Sequence, residues 1–324
     1  MVKKLFIAAL AAMVLSYSSG IPAQAQTPPV KVLVGTSSGG PADLLARLFA
    51  EAVRTAFGVP TVVENRPGAA GTIAARAASY APANGQTLLV AGMGTMVVAP
   101  YLYPRTGDEA ARGLVPVGKL ASSSMVLVVT PSLQASTAQQ LAGLARAAAP
   151  RTLTYGSAGH GSVNHVCAEL FAVAAGISSH HVPFSGDAAA GNSIMAGDVQ
   201  FMFMGPTVAL PLVKAGRLRA LAVTGASRLS SLPDAPTMME SGFAGFECRP
   251  WTMVFVPTGT PPARQDALSR TWTEALKLPG TRARIEAAGM EPAEPGGRLE
   301  AAAFFRAEQL RYGQLRRESG LKVP

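Results

Sequence analysis

The stretch Tyr155-Gly156-Ser157-Ala158-Gly159-His160-Gly161-Ser162 lies near the middle of a chain of 324 residues. A short β-type run, Leu153-Thr154-Tyr155, leads into it. A helical pattern over 163–175 leads out and stops at Gly176. Three glycines and two serines between a strand and a helix leave many backbone N–H groups free and add little bulk. Such a loop makes a concave anion cradle, and the helix dipole adds positive potential there. A second loop of this kind is Thr36-Ser37-Ser38-Gly39-Gly40-Pro41. The two are expected to face each other across a cleft and to hold one small anion.

Around these loops, strand-like and helical segments alternate. Strands are expected near 31–35, 61–64, 87–91, 115–120, 125–130, 180–182, 200–203, 218–223 and 250–256. Helices are expected over 41–57, 72–80, 137–149, 187–195, 206–214, 262–277, 281–288 and 298–319. Pro41 suits a first helical position and Asp43 suits the positive end of that helix. This alternation predicts an α/β protein with βαβ units and parallel pairing. The first crossing between domains is placed between 115–120 and 125–130, and the return at 218–223. The expected division is 1–25 signal, 26–124 and 226–324 lobe one, and 125–225 lobe two.

Lys3 and Lys4, the apolar run 5–15 and the small-x-small site Ala23-Gln24-Ala25 read as a secretory signal. The apolar run is too short for a stable membrane span. Cleavage leaves a net charge of +7, since the segment carries two lysines and no acid. Lys and Arg are scattered and aromatics make up only 6% of the chain, which speaks against nucleic acid. The product is expected to be a periplasmic monomer. Export permits a disulfide, but Cys167 and Cys248 are expected in different domains, as buried free thiols.

Catalytic patterns fail at the central loop. Tyr155 stands two residues before Ser157, and His160 two before Ser162, so there is no G-x-S-x-G elbow. No Gly-Lys-Ser/Thr closes a phosphate loop. His160, His165, His180 and His181 show no H-x-x-x-H pair or Cys/His cluster, so no metal and no cofactor is expected. His165, one turn into its helix, is read as a hydrogen-bonding or capping residue, and Ser162 as a possible N-cap. The rival is an exported serine hydrolase acting through residues 156–162. The expected ligand contacts are Thr36, Ser37, Ser38, Gly39, Gly40 and Thr95 from lobe one. From lobe two they are Gly156, Ser157, Gly159, Ser162, His165, Phe184 and Met204. Replacing Ser157 by proline is expected to delete a donor and leave the fold intact.

Several fragments together resemble the Bug-type extracytoplasmic receptors of tripartite tricarboxylate transporters. They are Ser38-Gly39-Gly40-Pro41-Ala42-Asp43-Leu44-Leu45-Ala46-Arg47 and Val63-Glu64-Asn65-Arg66-Pro67-Gly68-Ala69-Ala70-Gly71. They continue with Tyr155-Gly156-Ser157-Ala158-Gly159 together with Gly161-Ser162 and His165, then Val182-Pro183-Phe184-Ser185-Gly186, Lys214-Ala215-Gly216-Arg217-Leu218-Arg219-Ala220-Leu221-Ala222-Val223 and Leu232-Pro233-Asp234-Ala235-Pro236-Thr237. The resemblance implies a type II periplasmic-binding-protein fold, two lobes joined by two hinge strands around a ligand cleft. It implies a small carboxylate ligand held by backbone N–H groups and waters, and delivery to membrane permease subunits or a sensor kinase. It implies no enzyme activity. This chain departs from the family pattern at Gly35, Thr36, Ser37 and Ser38, where relatives carry proline and aromatic residues. It departs again at Met204, where many relatives carry an acid. The second departure favours a ligand without an ammonium group.

Overall fold

The computed structural model describes residues 28–103 and 105–319. The expected signal at 1–25 lies outside them. The first unit runs β1 (Val30–Val34), α1 (Pro41–Phe57), β2 (Thr61–Asn65), α2 (Thr72–Ser79), β3 (Thr87–Gly92), α3 (Ala99–Leu102), α4 (Thr106–Arg112) and β4 (Leu114–Ser122). The second runs β5 (Val126–Val129), α5 (Ala138–Ala147), β6 (Thr154–Ser157), α6 (Val163–Ala175), β7 (His180–Pro183), α7 (Asp187–Ala196), β8 (Phe201–Met204), α8 (Pro206–Lys214) and β9 (Arg219–Val223). The chain then returns through β10 (Trp251–Pro257), α9 (Pro262–Lys277), α10 (Pro279–Ala287), β11 (Glu291–Pro292) and α11 (Arg298–Ser319).

The strands form two sheets, ordered β11-β4-β10-β3-β1-β2 and β7-β6-β8-β5-β9. Pairing is parallel where a helix links the strands, as in β1 with β2 and β3, and β6 with β7 and β8. It is antiparallel around β10 in the first sheet and β5 in the second. Each of these two strands arrives from the other unit, so no helical crossover dictates its direction. The sequence pattern predicts the parallel pairs and not these insertions.

Both faces of each sheet are covered, which explains the apolar runs. In the first sheet Val30, Val32 and Val34 point toward α1 and α9, packing with Leu45, Phe49, Leu268, Trp272 and Leu276. Leu33, Leu89 and Phe255 face α2 and α11. In the second, Phe201 and Phe203 pack on α5 and α6, while Met202 and Met204 pack on α7 and α8.

Two adjacent strands of chain join the units. Ser123 N–H donates to Pro250 O at 2.8 Å, and the Thr224 hydroxyl donates to Cys248 O at 2.6 Å. The return therefore runs at about residues 249–250, not at 218–223. β9 is a member of the second sheet, and Met238, Phe243, Phe246 and Cys248 belong to that unit's core. The expected boundary puts 226–248 in lobe one because it takes the apolar strand 218–223 as the return crossing. A bridge between Val223 and Thr237 and the burial of Ala235 tie that stretch to the second sheet.

Cys167 and Cys248 form a disulfide, with Cα atoms 5.5 Å apart. This corrects the expectation of free thiols in different domains. Both residues lie in one core with Phe171 and Phe203, so the bond pins α6 to the start of the return strand and does not bridge the units.

Candidate ligand site between two loop clusters

The loops at the C-terminal ends of β1, β2 and β3 converge. A Cβ on Gly35 would lie 2.6 Å from Gly71 Cα, and the Thr95 hydroxyl donates to Ala70 O at 2.9 Å. Ala69 and Ala70 take positive φ, 45° and 54°, an uncommon conformation for residues with a Cβ. Such a site costs energy and persists where the surroundings over-determine it.

Residues 36–39 are exposed. Asp43, buried at the foot of this loop, organises it. Its carboxylate accepts from Gly39 N–H at 2.9 Å, from Arg47 Nε at 2.9 Å and from Asn65 Nδ2 at 2.9 Å. Burial alone would raise the Asp43 carboxyl. The hydrogen bonds from Arg47, Gly39 and Asn65, with the Arg47 charge, outweigh it and hold the group at about 2. One expectation changes as a result: Gly39 N–H is already spent on Asp43. Asn65 also donates to Thr36 O at 3.1 Å, fixing the loop's entry.

On the second unit, Phe184 N–H donates to Ser157 O at 2.9 Å, which places loop 183–186 beside loop 157–162. A Cβ on Gly159 would touch Phe184 O at 3.4 Å. Asn164 Nδ2 links the two helix starts, donating to Asp187 Oδ1 at 3.0 Å and to Phe203 O at 2.8 Å. Ser162 is the N-cap of α6, its Oγ accepting from His165 N–H at 3.4 Å. Gly161 N–H donates to His165 Nδ1 at 3.0 Å, which gives His165 the hydrogen-bonding role read from its position. The N–H groups of Ala158, His160, Val163 and Asn164 have no partner within the described residues. They cluster at the positive end of a helix of 13 residues.

Other expected contacts fall elsewhere. Ser157 is fully buried in β6, and its Oγ accepts from Gly159 N–H at 3.1 Å and meets His181 Nε2 at 2.6 Å. Proline at 157 would break into a paired strand, so that variant would not leave the fold intact. Gly156 is also buried, and a Cβ there would meet Val199 and Phe184. Met204 is 1% exposed and belongs to the core under α7 and α8. The alternation Phe201-Met202-Phe203-Met204 turns both methionines to the sheet face covered by α7 and α8, where Met204 packs near Gly191 and is closed to solvent.

Sequence spacing missed one cluster. His160, His165 and His181 each bring a ring nitrogen within 4.8 Å of the others. The parallel register of β6 with β7 sets Tyr155 opposite His181, and the His165 and His181 rings stack at 4.0 Å. Burial, with neighbouring histidines adding repulsion, pushes His165 down to about 4 and His181 down to about 3. Behind them the Tyr155 hydroxyl donates to Glu169.

The units touch beside the loops, where Val166 of α6 packs with Met93 and Val97. A cavity of about 930 Å³ lies beyond the β4–β11 edge of the first sheet. Lys119, Arg228, Arg249 and Arg282 line it, against Glu286, Glu291, Glu294 and Glu300, so its charges balance. Neither loop cluster contributes to it.

A model of the tripartite tricarboxylate transporter family receptor matches residues 45–321. BugT of Bordetella pertussis is 30% identical, over 91% of this chain and 90% of the relative. The solved structure of R. palustris Rpa4515 with adipate is 32% identical with a TM-score of 0.77, covering 90% of this chain and 97% of that one. MatC from Rhodopseudomonas palustris with bound malate is 28% identical with a TM-score of 0.73, covering 89% and 98%.

Proposed function

Because the chain belongs to the tripartite tricarboxylate transporter receptor family, we propose that this solute-binding receptor takes a small, amine-free dicarboxylate. The observation that carries the reading is the set of unpartnered N–H groups at Ala158, His160, Val163 and Asn164, at the start of α6. Aligned donors and a helix dipole hold a carboxylate without a counter-cation. Thr36, Ser37, Ser38, Gly40 and Thr95 supply the opposite wall. The related proteins solved with adipate and malate support the ligand class. A ligand that bridges both units favours closure about the paired hinge strands, through contacts made only in the closed state. In this reading segment 1–25 is a cleaved signal that sends the receptor to the periplasm, where it serves as a monomer that passes its ligand to a membrane permease or to a sensor kinase.

The test is a thermal-shift screen of C4 to C6 mono-, di- and tricarboxylates, followed by calorimetric titration. A ligand at 100 times its Kd adds about 2.7 kcal/mol. Tighter binding of aspartate or glutamate than of malate or adipate overturns the amine-free class. The absence of any carboxylate ligand overturns the reading itself. The Ser157–His181 contact gives the hydrolase alternative one point of support. Against it, Ser157 is inaccessible and its hydroxyl is engaged by Gly159. Ester turnover lost in Ser157→Ala would favour that alternative.

A further inference from the structure

We propose that His160, His165 and His181 bind one first-row transition-metal ion of the zinc class, set into the wall of the 156–162 loop. Three of the chain's four histidines meet here from three different elements: the loop, the first turn of α6 and β7. Their ligand nitrogens already lie within 4.8 Å of one another. Three imidazoles suit zinc, nickel or copper, whereas magnesium and calcium require oxygen donors.

His165 has the tautomer such a site needs. Its Nδ1 accepts the Gly161 N–H, so that nitrogen carries a lone pair and Nε2 carries the proton. Nε2 lies 4.0 Å from Glu169 Oε1, and Glu169 is held in turn by the Tyr155 hydroxyl. At 4.0 Å this pair makes no hydrogen bond; a small shift of the ring on binding an ion would bring Nε2–H onto the carboxylate, the outer-shell contact that orients metal-bound histidines. An ion at Nδ1 replaces the Gly161 N–H without any change of tautomer.

Metal binding also needs movement. The His165 and His181 rings lie 7° from parallel with centroids 4.0 Å apart, so their in-plane lone pairs lie in separate stacked planes and do not converge on one point. Zinc–nitrogen bonds of about 2.0–2.1 Å put tetrahedral ligands roughly 3.4 Å apart. The His181 ring must therefore turn and His160 must move in. His160 is exposed and lies between Gly159 and Gly161, both at positive φ, 119° and 72°. Glycine tolerates the backbone change this movement requires.

The ion has a second consequence, which rests on the receptor reading above. It releases the Gly161 N–H and adds a dication beside the free donors of α6, so it strengthens carboxylate binding. Its fourth position can take the carboxylate directly.

The experiment uses the mature chain without a polyhistidine tag, stripped with a chelator. Zinc is titrated against a chromophoric competitor in the absence of carboxylate. The expected result is one equivalent per chain. His160→Ala and His181→Ala should each lose more than the ~10–100-fold that outer-shell changes cost, and Glu169→Gln should fall within that range. Cobalt loading should give visible bands of a low-coordinate nitrogen site, absent in His160→Ala. Zinc affinity unchanged in His160→Ala overturns the site, and that exposed residue can be replaced without disturbing the core. Failure to bind any stoichiometric zinc overturns it as well. Malate and adipate titrations with and without zinc then test the coupling. Zinc binding with no carboxylate binding in either condition rejects the receptor reading and keeps the metal site.

Discussion

Removal of the disulfide should destabilise the second unit and leave closure intact. The test variant is Cys167→Ala with Cys248→Ala, because alanine adds no hydroxyl to a core where both sulfurs are fully buried. The bond closes a loop with a sequence separation of 81 residues. The chain-entropy relation gives about 4.5 kcal/mol for a loop of this length, and native disulfides measured by removal give about 2–5 kcal/mol. A unit of this size shifts its melting temperature by roughly 4 °C per kcal/mol, so a fall of about 8–20 °C is expected in calorimetry. Thiol titration of the unreduced, denatured protein should find no free thiol. Small-angle scattering on adding adipate should show the same compaction in variant and parent, because the bond lies within one unit. Two reactive thiols per chain, or a melting temperature within about 2 °C of the parent, would refute the assignment. A change in compaction would show that the bond restrains the hinge after all.

Asp43 sets an acid limit. Its folded value of about 2 lies below the ordinary 3.8, so its contribution is complete above pH 3.8 and is lost as pH falls from there towards 2. Asp43→Asn should flatten the acid limb of the melting profile in that window; an identical slope contradicts the loop anchor. Ser162→Ala should cost roughly 1 kcal/mol, as N-cap losses do, with zinc affinity retained, and chemical denaturation measures it. Gly35→Ala should cost about 1–3 kcal/mol, because the new Cβ would meet backbone atoms of Gly71 that cannot swing aside. A stability equal to the parent would mean that loops 35–40 and 68–71 do not meet as described.

The units' helices and most of their strands were legible because each depends on its own residues. Leu268, Trp272 and Leu276 recur at helical spacing and are buried on one face of α9. Gly58 and Gly176 end α1 and α6 in the left-handed conformation that glycine favours. The lobe boundary was not legible. Phe243, Phe246 and Cys248 sit in a stretch without periodicity, and only their packing against Phe171 and Phe203 reveals which unit they join.

The site divides along the same line. The donor-rich turn before α6 is a local consequence of Gly159, Gly161 and the Ser162 cap, so it can be read from eight residues. What surrounds it cannot. Ser157 reads as a ligand contact from its position in the loop, yet β6 pairs through it and its hydroxyl turns to His181, 24 residues on. Asp43 reads as a dipole partner, yet it also takes the Gly39 N–H that the loop was expected to offer. The three histidines fail every spacing rule for metal ligands, because those rules describe ligands carried on one helix or one hairpin. Here strand register supplies His181 and a helical turn supplies His165. A usable signal existed: Tyr155 opposite His181 follows from pairing β6 with β7 in parallel, and His165 caps the same loop. Reading it required the register, which is a property of two strands together.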